Sequence, residues 1–157
     1  MFKIWKIIET KKYRSIKHCL KVLKKKKIYV SPWIEDIIKN RKNKFNLKKD
    51  KVFLYRVKVE KLGFKKATKL KDIYKKIKNK KFKLVSLDVA LITRLEYKNQ
   101  KKGEWIRFAT PFNSMIDSDG IPHLPKLGRA LGKNFIETYW SYPNAIFHPH
   151  NEFIVCK

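Results

Sequence analysis

The side chains best suited to chemistry in this sequence are carboxylates and histidines scattered through its second half. Enzymes often combine a carboxylate with a histidine for proton transfer. A pocket gathering two or more of these groups would predict a small nuclease-like hydrolase. Nothing in their spacing brings them together, and the chain contains no GxSxG, P-loop or GxGxxG motif. The sequence therefore leaves open whether the protein is an enzyme. The candidates are Asp88, Glu96, Glu104, His123 and His148.

Two short motifs resemble metal sites. Residues 117–120 read Asp-Ser-Asp-Gly, like the start of a calcium-binding loop, but position 128 is glycine and no glutamate follows before Glu137. A plain turn is favoured, because glycine adopts positive φ and Asp side chains bond their own backbone. His148 and His150, with His123 far away in sequence, have no nearby cysteine or clear third ligand, which is typical of surface residues. We therefore expect no metal and no cofactor.

The charge of the chain indicates a different kind of function. Forty lysines and arginines outnumber 13 acidic residues, and the formal net charge is +27. From residue 105 onward five basic residues nearly balance four acidic ones, so +26 of this charge lies in residues 1–104. A field so polarised favours a polyanion such as nucleic acid, an anionic membrane or an acidic protein. Lysine accumulation during translation of an AT-rich genome is the alternative explanation.

The first third of the chain holds the residues expected to contact phosphates. A run of four lysines near a helix end either is a solvated terminus or forms a phosphate-binding cluster. Aromatic residues among the basic ones, namely Tyr13, Tyr29, Trp33 and Tyr55, would suit a single strand or RNA by stacking on bases, although most are expected in the core. We predict binding to the backbone of RNA or DNA, with a protein-interaction module as the alternative. The predicted contacts are Lys24, Lys25, Lys26, Lys27, Arg41, Lys42 and Lys44.

Two helices are predicted before these last contacts. Residues 13–24 place Ile16, Cys19, Leu20 and Leu23 on one face at helical spacing. The second helix begins at Ser31-Pro32, where serine is the N-cap and proline the first helical residue, and ends near residue 40. The link between them is longer than a helix-turn-helix turn and lacks glycine, which argues against a DNA-reading motif.

The remaining elements predict an α+β fold. Alternation over residues 52–60 and 104–109 indicates strands, and residues 135–140 and 153–156 are further strand candidates. Thr68 is the candidate N-cap of a helix over 69–79. Residues 87–95 are apolar nearly all round and fit helix or strand; we favour a short buried helix that bends into a strand at 94–97. We expect N-terminal helices packed on a small, mostly antiparallel sheet, in a single domain over 1–157. Within it, 1–50 is a basic helical part and 51–157 an α+β core.

Several motifs in one order are similar to those of a known family. Leu-Gly-Phe at 62–64, Arg-Leu-Glu-Tyr at 94–97, Gly-Glu-Trp at 103–105, the Asp-Ser-Asp-Gly turn and a closing Phe-Ile-Val at 153–155 resemble an uncharacterised family of small bacterial proteins. The resemblance covers roughly residues 52–156. It implies no established activity, cofactor or catalytic residue. A cysteine of that family is replaced here within the Val-Ser-Leu-Asp segment at 85–88, so no cysteine role carries over.

The cysteines and the hydropathy bear on the compartment. Cys19 and Cys156 form neither a disulfide framework nor a CxxC metal pair, and reduced thiols in a cytoplasm are the expectation. No apolar run approaches the roughly 18 residues that a membrane span requires. The first 23 residues are basic throughout and lack the apolar core of a signal peptide. We expect a cytoplasmic protein without a transmembrane segment; the sequence leaves its oligomeric state open.

Overall fold

A computed structural model describes residues 1–40 and 50–157. Within these ranges the chain forms four α-helices and nine β-strands. The helices are α1 (Ile16–Lys25), α2 (Pro32–Lys39), α3 (Leu70–Asn79) and α4 (Leu87–Glu96). The strands are β1 (Lys6–Glu9), β2 (Tyr29–Val30), β3 (Lys51–Lys58), β4 (Thr68–Lys69), β5 (Trp105–Phe108), β6 (His123–Ala130), β7 (Lys133–Trp140), β8 (Ile146–Phe147) and β9 (Glu152–Cys156).

Seven of these strands form one curled sheet that resembles half a barrel. Their order across the sheet is β1-β3-β9-β5-β6-β7-β2. The sheet is mixed, because β5 pairs in parallel with β9 and β2 in parallel with β7, whereas the other neighbours are antiparallel. Strands β4 and β8 form a separate antiparallel ribbon. The chain thus brings β2, near its start, beside β7, near its end.

Two apolar cores lie on opposite faces of the large sheet. Helices α1, α2 and α4 contribute to the first core together with Leu54, Ile106 and Ile136 of the sheet. Helix α3 contributes to the second core, which includes Val57 and Phe153. Because side chains alternate between the two faces of a strand, neighbouring residues of one strand belong to different cores.

The predicted fold class was wrong. The helices do not form an N-terminal layer over a small sheet; the fold is dominated by a seven-stranded mixed sheet, and helices are distributed along the chain. The sheet was underestimated mainly because β6 contains Pro125 and Gly128, which are read as loop residues. Strands β1 and β2 have four and two residues, too few for a periodic pattern.

The predicted bend into a strand at residues 94–97 was also wrong, since α4 continues to Glu96. All residues of α4 from Leu87 to Leu95 are buried, so its apolar pattern reflects packing on every side. Thr68 belongs to β4 and does not cap α3. Prediction succeeded where local chemistry decides: Ser31 accepts a hydrogen bond from the Trp33 amide, with Pro32 as the first residue of α2.

None of the described helices has the length and apolar character needed to cross a membrane. The longest have ten residues, which extend about 15 Å at 1.5 Å per residue, half of a typical hydrocarbon core.

Candidate functional site

A row of aromatic residues crosses four neighbouring strands on one face of the sheet. The strand register aligns Trp105 with Gly128, Gly128 with Phe135, and Phe135 with Tyr29. Residues opposite each other in paired strands project from the same face. The ring centroids of Tyr29 and Phe135 are 5.3 Å apart, and those of Phe135 and Trp105 are 6.1 Å apart. This spacing gives a continuous aromatic surface over β5, β6, β7 and β2.

Gly128 makes room for this surface. A Cβ atom at that position would lie 2.2 Å from the ring of Trp105, far inside any contact distance. Since Gly128 has no side chain, the indole lies directly over the β6 backbone. The glycine thus has a packing role here, in the middle of a strand where glycine is otherwise unfavourable.

Cationic side chains form the next row on the same face. Arg107 is aligned with Lys126, and Lys126 with Glu137. The ammonium group of Lys126 lies 4.5 Å from the centroid of the Trp105 ring and 3.7 Å from Oε2 of Glu137. The guanidinium carbon of Arg107 lies 5.4 Å from the centroid of the Tyr139 ring. We call Tyr29, Trp105, Arg107, Lys126, Phe135 and Tyr139 the open face.

Arg107 has no compensating charge on the open face. Within residues 1–40 and 50–157 its guanidinium contacts the rings of Tyr139 and Phe147 but makes no hydrogen bond or ion pair, and its buried Nε has no acceptor. Burial lowers the pKa of Arg107 and, as the main cause, that of Lys126. A partly desolvated cation without an acceptor is favourably placed to bind an anion.

The open face lies outside both apolar cores. In the part of the chain that the structure describes, neither core includes Tyr29, Trp105, Phe135 or Tyr139. Tyr29 and Tyr139 keep 43% and 38% of their surface exposed, enough for a ring to stack on each. The sheet face therefore has one half covered by α3 and another whose aromatic rings remain accessible.

Lysines border the open face at the end of α1. Lys24 and Lys27 line a cavity of about 570 Å³ together with Tyr29, Lys133 and Phe135. Two of the predicted phosphate contacts thus lie beside the aromatic row. Lys24 is already paired, because its ammonium lies 2.6 Å from Oε1 of Glu35.

The other predicted phosphate contacts lie away from this cavity or outside the described residues. Lys25 and Lys26 are exposed at the end of α1 but do not line this cavity. The predictions at Arg41, Lys42 and Lys44 lie outside the described residues.

The predicted aromatic residues lie in different environments. Of the four, Tyr29 belongs to the open face, Tyr13 packs against the first core, and Tyr55 is buried in the second. Trp33 is exposed at the start of α2.

Most of the open face was missed in the sequence because it belongs to the nearly neutral last third of the chain. The alternation of β5 did place Trp105 and Arg107 on one side. The pairing of β5 with β6 and of β2 with β7 is not local and carried no sequence signal.

The acid–base candidates do not form one site. Glu104 accepts hydrogen bonds from Arg56 and Tyr97, and His123 contacts Asp117. Asp88 is fully buried in α4. The two remaining candidates are also separate from these groups. Glu96 lies at the end of α4, where burial is the main cause that raises the pKa of its carboxyl, and His148 stacks on His150. Among the described residues no group of three or more His, Cys, Asp or Glu could hold a metal ion.

Residues 117–120 form the predicted turn, with Gly120 at φ 80°. Asp117 is buried and organises it, since Oδ1 accepts the amides of Asp119 and Ile121 at 2.9 Å. Oδ2 of Asp117 lies 2.8 Å from Nε2 of His123. Burial raises the pKa of Asp117, but hydrogen bonds from His123 and the two amides outweigh it, so the pKa lies below its ordinary value. The carboxyl group is therefore ionised at neutral pH.

Comparisons with known proteins found no match to this chain among protein-family models, curated proteins or solved structures.

Proposed function

We propose that the protein binds an unpaired strand of RNA or DNA across the open face. The observation that carries this proposal is the aromatic row of Tyr29, Phe135 and Trp105, aligned across four strands and bordered by cations. Binding sites for single strands combine a basic surface that follows the backbone with rings on which bases stack. The open face and its lysine border contain both parts.

The aromatic row favours a single strand over a duplex. Bases of a duplex are stacked on each other and cannot lie on protein rings, whereas unpaired bases can. Tyr29 and Tyr139 are accessible enough to contact such bases. Each stacked base contributes about 1–3 kcal/mol by alanine substitution.

Cations on and beside the open face provide the contacts that a nucleic-acid backbone requires. Lys27 and Lys133 flank the aromatic row, and Arg107 lies within the face without an acceptor. A phosphate would provide that acceptor. The formal net charge of +27 adds a long-range attraction for any polyanion, but a general attraction alone would not depend on which lysines are removed.

The test compares two pairs of lysines. Binding of fluorescent single-stranded RNA and DNA oligonucleotides is measured by anisotropy at several salt concentrations. The variant Lys27→Gln/Lys133→Gln should lose about tenfold or more in affinity. Its slope of log affinity against log salt should fall by roughly 1.4, since each single-strand phosphate contact contributes roughly 0.7. RNA and DNA arms show whether the sugar matters.

The matched control is Lys75→Gln/Lys78→Gln, which removes the same charge from the exposed side of α3. This control should lose much less affinity. Equal losses in the two double variants would contradict the proposal and support a general halo of charge.

The aromatic part is tested with Tyr29→Leu, which removes the ring but keeps apolar bulk. It should weaken oligonucleotide binding without reducing retention on heparin. If Tyr29→Leu reduced oligonucleotide affinity and heparin retention to the same degree, an acidic protein partner would explain the basic surface better than a nucleic acid.

A further inference from the structure

A second, smaller cavity lies where β7 meets the start of α2. Its volume is about 260 Å³, just below the usual range for small-molecule sites of roughly 300–1,000 Å³. Trp33 and Trp140 line it and keep 47% and 62% of their surface exposed. Two large apolar rings at a cavity mouth favour a planar ligand that stacks on them. One face of Trp33 is already used, because its ring stacks on His123 at 5.7 Å.

The polar wall of this cavity has a defined hydrogen-bond polarity. Nδ1 of His123 lies 3.0 Å from Oγ1 of Thr138, and Nε2 lies 2.8 Å from Oδ2 of Asp117. An ionised carboxylate only accepts, so Nε2 must carry the ring proton. In the neutral ring Nδ1 then accepts, and the hydroxyl of Thr138 must donate to it. Thr138 lines the cavity, and beside the neutral imidazole its oxygen has only lone pairs left for a ligand.

Tyr139 connects this cavity to the open face. It lines the cavity, and its ring also lies 5.4 Å from the guanidinium carbon of Arg107 and 5.7 Å from the ammonium of Lys126. Residues 135 and 139 of β7 are four positions apart, about 13 Å at the usual rise of a strand. Thr138 and Trp140 project from the face of β7 opposite to that of Tyr139. Because β2 pairs with β7 only at residues 135 and 136, the far end of β7 is an edge of the described sheet. A strand of nucleic acid on the open face would therefore place one base in the cavity by passing around this edge.

We propose that this cavity holds one nucleobase of the bound strand against Trp33 and Trp140, and that Thr138 accepts a hydrogen bond from the edge of that base. This proposal rests on the function proposed above, because the strand delivers the base. The amino group of adenine can donate such a hydrogen bond. A base without any donor would leave the oxygen of Thr138 without a partner, which is the kind of mismatch that polar sites reject most strongly.

Two nucleosides that differ by one amino group test the proposal directly. Adenosine and purine riboside are titrated into the full chain, and the indole N–H signals of the tryptophans are followed by NMR. Adenosine should shift the signals of Trp33 and Trp140 and bind at least tenfold more tightly than purine riboside. Trp33→Leu and Trp140→Leu assign the signals. Equal affinities in the unmodified protein, or shifts confined to other tryptophans, would overturn the proposal.

Substitutions at Thr138 separate polarity from shape. Thr138→Ser keeps the hydroxyl and should keep the preference for adenosine. Thr138→Val keeps the shape but removes the oxygen, so both nucleosides should bind with the same low affinity. A preference that survives in Thr138→Val would contradict the role of this oxygen. The nucleoside comparison in the unmodified protein remains decisive if the valine variant does not fold.

The outcome is distinguishable from that of the proposed function. If oligonucleotides bind the open face but adenosine does not shift Trp33 and Trp140, the strand-binding function stands and the base cavity is refuted. If adenosine binds with the expected preference but no oligonucleotide binds, the proposal of a strand-delivered base is overturned.

Discussion

Arg94 is fully buried and Arg107 is half-buried, and the two arginines serve different ends. Arg94 is fully buried in α4, and its two terminal nitrogens donate to the side chain of Gln100 and to the carbonyls of Tyr97, Gly128 and Phe135. Burial lowers the pKa of Arg94 to about 10. Arg107 lies on the open face beside Lys126, and its guanidinium contacts the rings of Tyr139 and Phe147.

The hydrogen bonds of the two guanidinium groups distinguish a structural cation from one available to a ligand. Arg94 joins the end of α4 to β6 and β7, and both of its terminal nitrogens donate within the fold, although its Nε, like that of Arg107, has no acceptor among the described residues. Gln100 extends this network, because its amide nitrogen donates to the carbonyls of Glu104 and Leu127. Arg107 contributes to no such network within residues 1–40 and 50–157. A partly desolvated guanidinium without protein acceptors costs stability unless water or a ligand accepts its hydrogen bonds.

The largest expected effect comes from exchanging the two arginines for methionine. Arg94→Met leaves several buried carbonyls and Gln100 without donors, and should cost about 3 kcal/mol or more of unfolding free energy. Arg107→Met removes a cation that has no hydrogen bond or ion pair among the described residues, and should change stability by less than about 1 kcal/mol while weakening oligonucleotide binding. Urea denaturation and anisotropy measure the two effects. Similar losses of unfolding free energy in both variants would contradict the distinction between Arg94 as a structural cation and Arg107 as one available to a ligand.

An intermediate effect is expected at Gly128. Gly128→Ala places a methyl group against the Trp105 ring, and the overpacking should cost about 1–3 kcal/mol. Oligonucleotide affinity should fall as well, since the indole must leave its position over β6. In a Trp105→Ala background the same substitution should no longer cost stability. A persistent cost there would mean that Gly128 is needed for the backbone and not for the ring.

The smallest effect is expected at the lysines that border the open face, namely Lys24, Lys27 and Lys133. Glu35→Gln frees Lys24 from its ion pair and should cost no more than about 1 kcal/mol, as is usual for surface pairs and first-turn acids. The affinity for oligonucleotides should rise severalfold, with a gain in salt slope of roughly 0.7. Glu60→Gln changes net charge equally but frees Lys58 at the end of β3. If both variants gained the same affinity for oligonucleotides, Lys24 would contribute no more to binding than Lys58.

Prediction from sequence was accurate for segments whose structure depends on nearby residues. The stripe of Ile16, Cys19 and Leu23 is buried in α1 as its spacing indicates, and Ser31 with Pro32 begins α2. The turn at residues 117–120 also formed as predicted. These features depend on contacts within a few positions of the chain, where residue type and spacing are sufficient.

Prediction failed where packing outweighs local preference. Pro125 and Gly128 suggested a loop, but β6 pairs along its whole length with β7, from His123 to Ala130. Gly128 is tolerated because Trp105 fills the space above it, which no local pattern reveals. The predicted phosphate contacts at Lys24 and Lys27 do lie beside the open face, but the aromatic residues that give this surface its character came from β5 and β7.

The amino-acid sequence alone was sufficient to predict α1, α2 and α3, the Ser31 N-cap, the sharp turn and the large excess of positive charge, because each depends on composition or on neighbours along the chain. The three-dimensional fold alone brings Tyr29, Phe135 and Trp105 into one row. It also joins Asp117, His123 and Thr138 by hydrogen bonds. Residues 29 and 135 meet through the register of strands far apart in the chain. Such a register is set by the combined burial of whole strand faces and leaves no mark in any single segment.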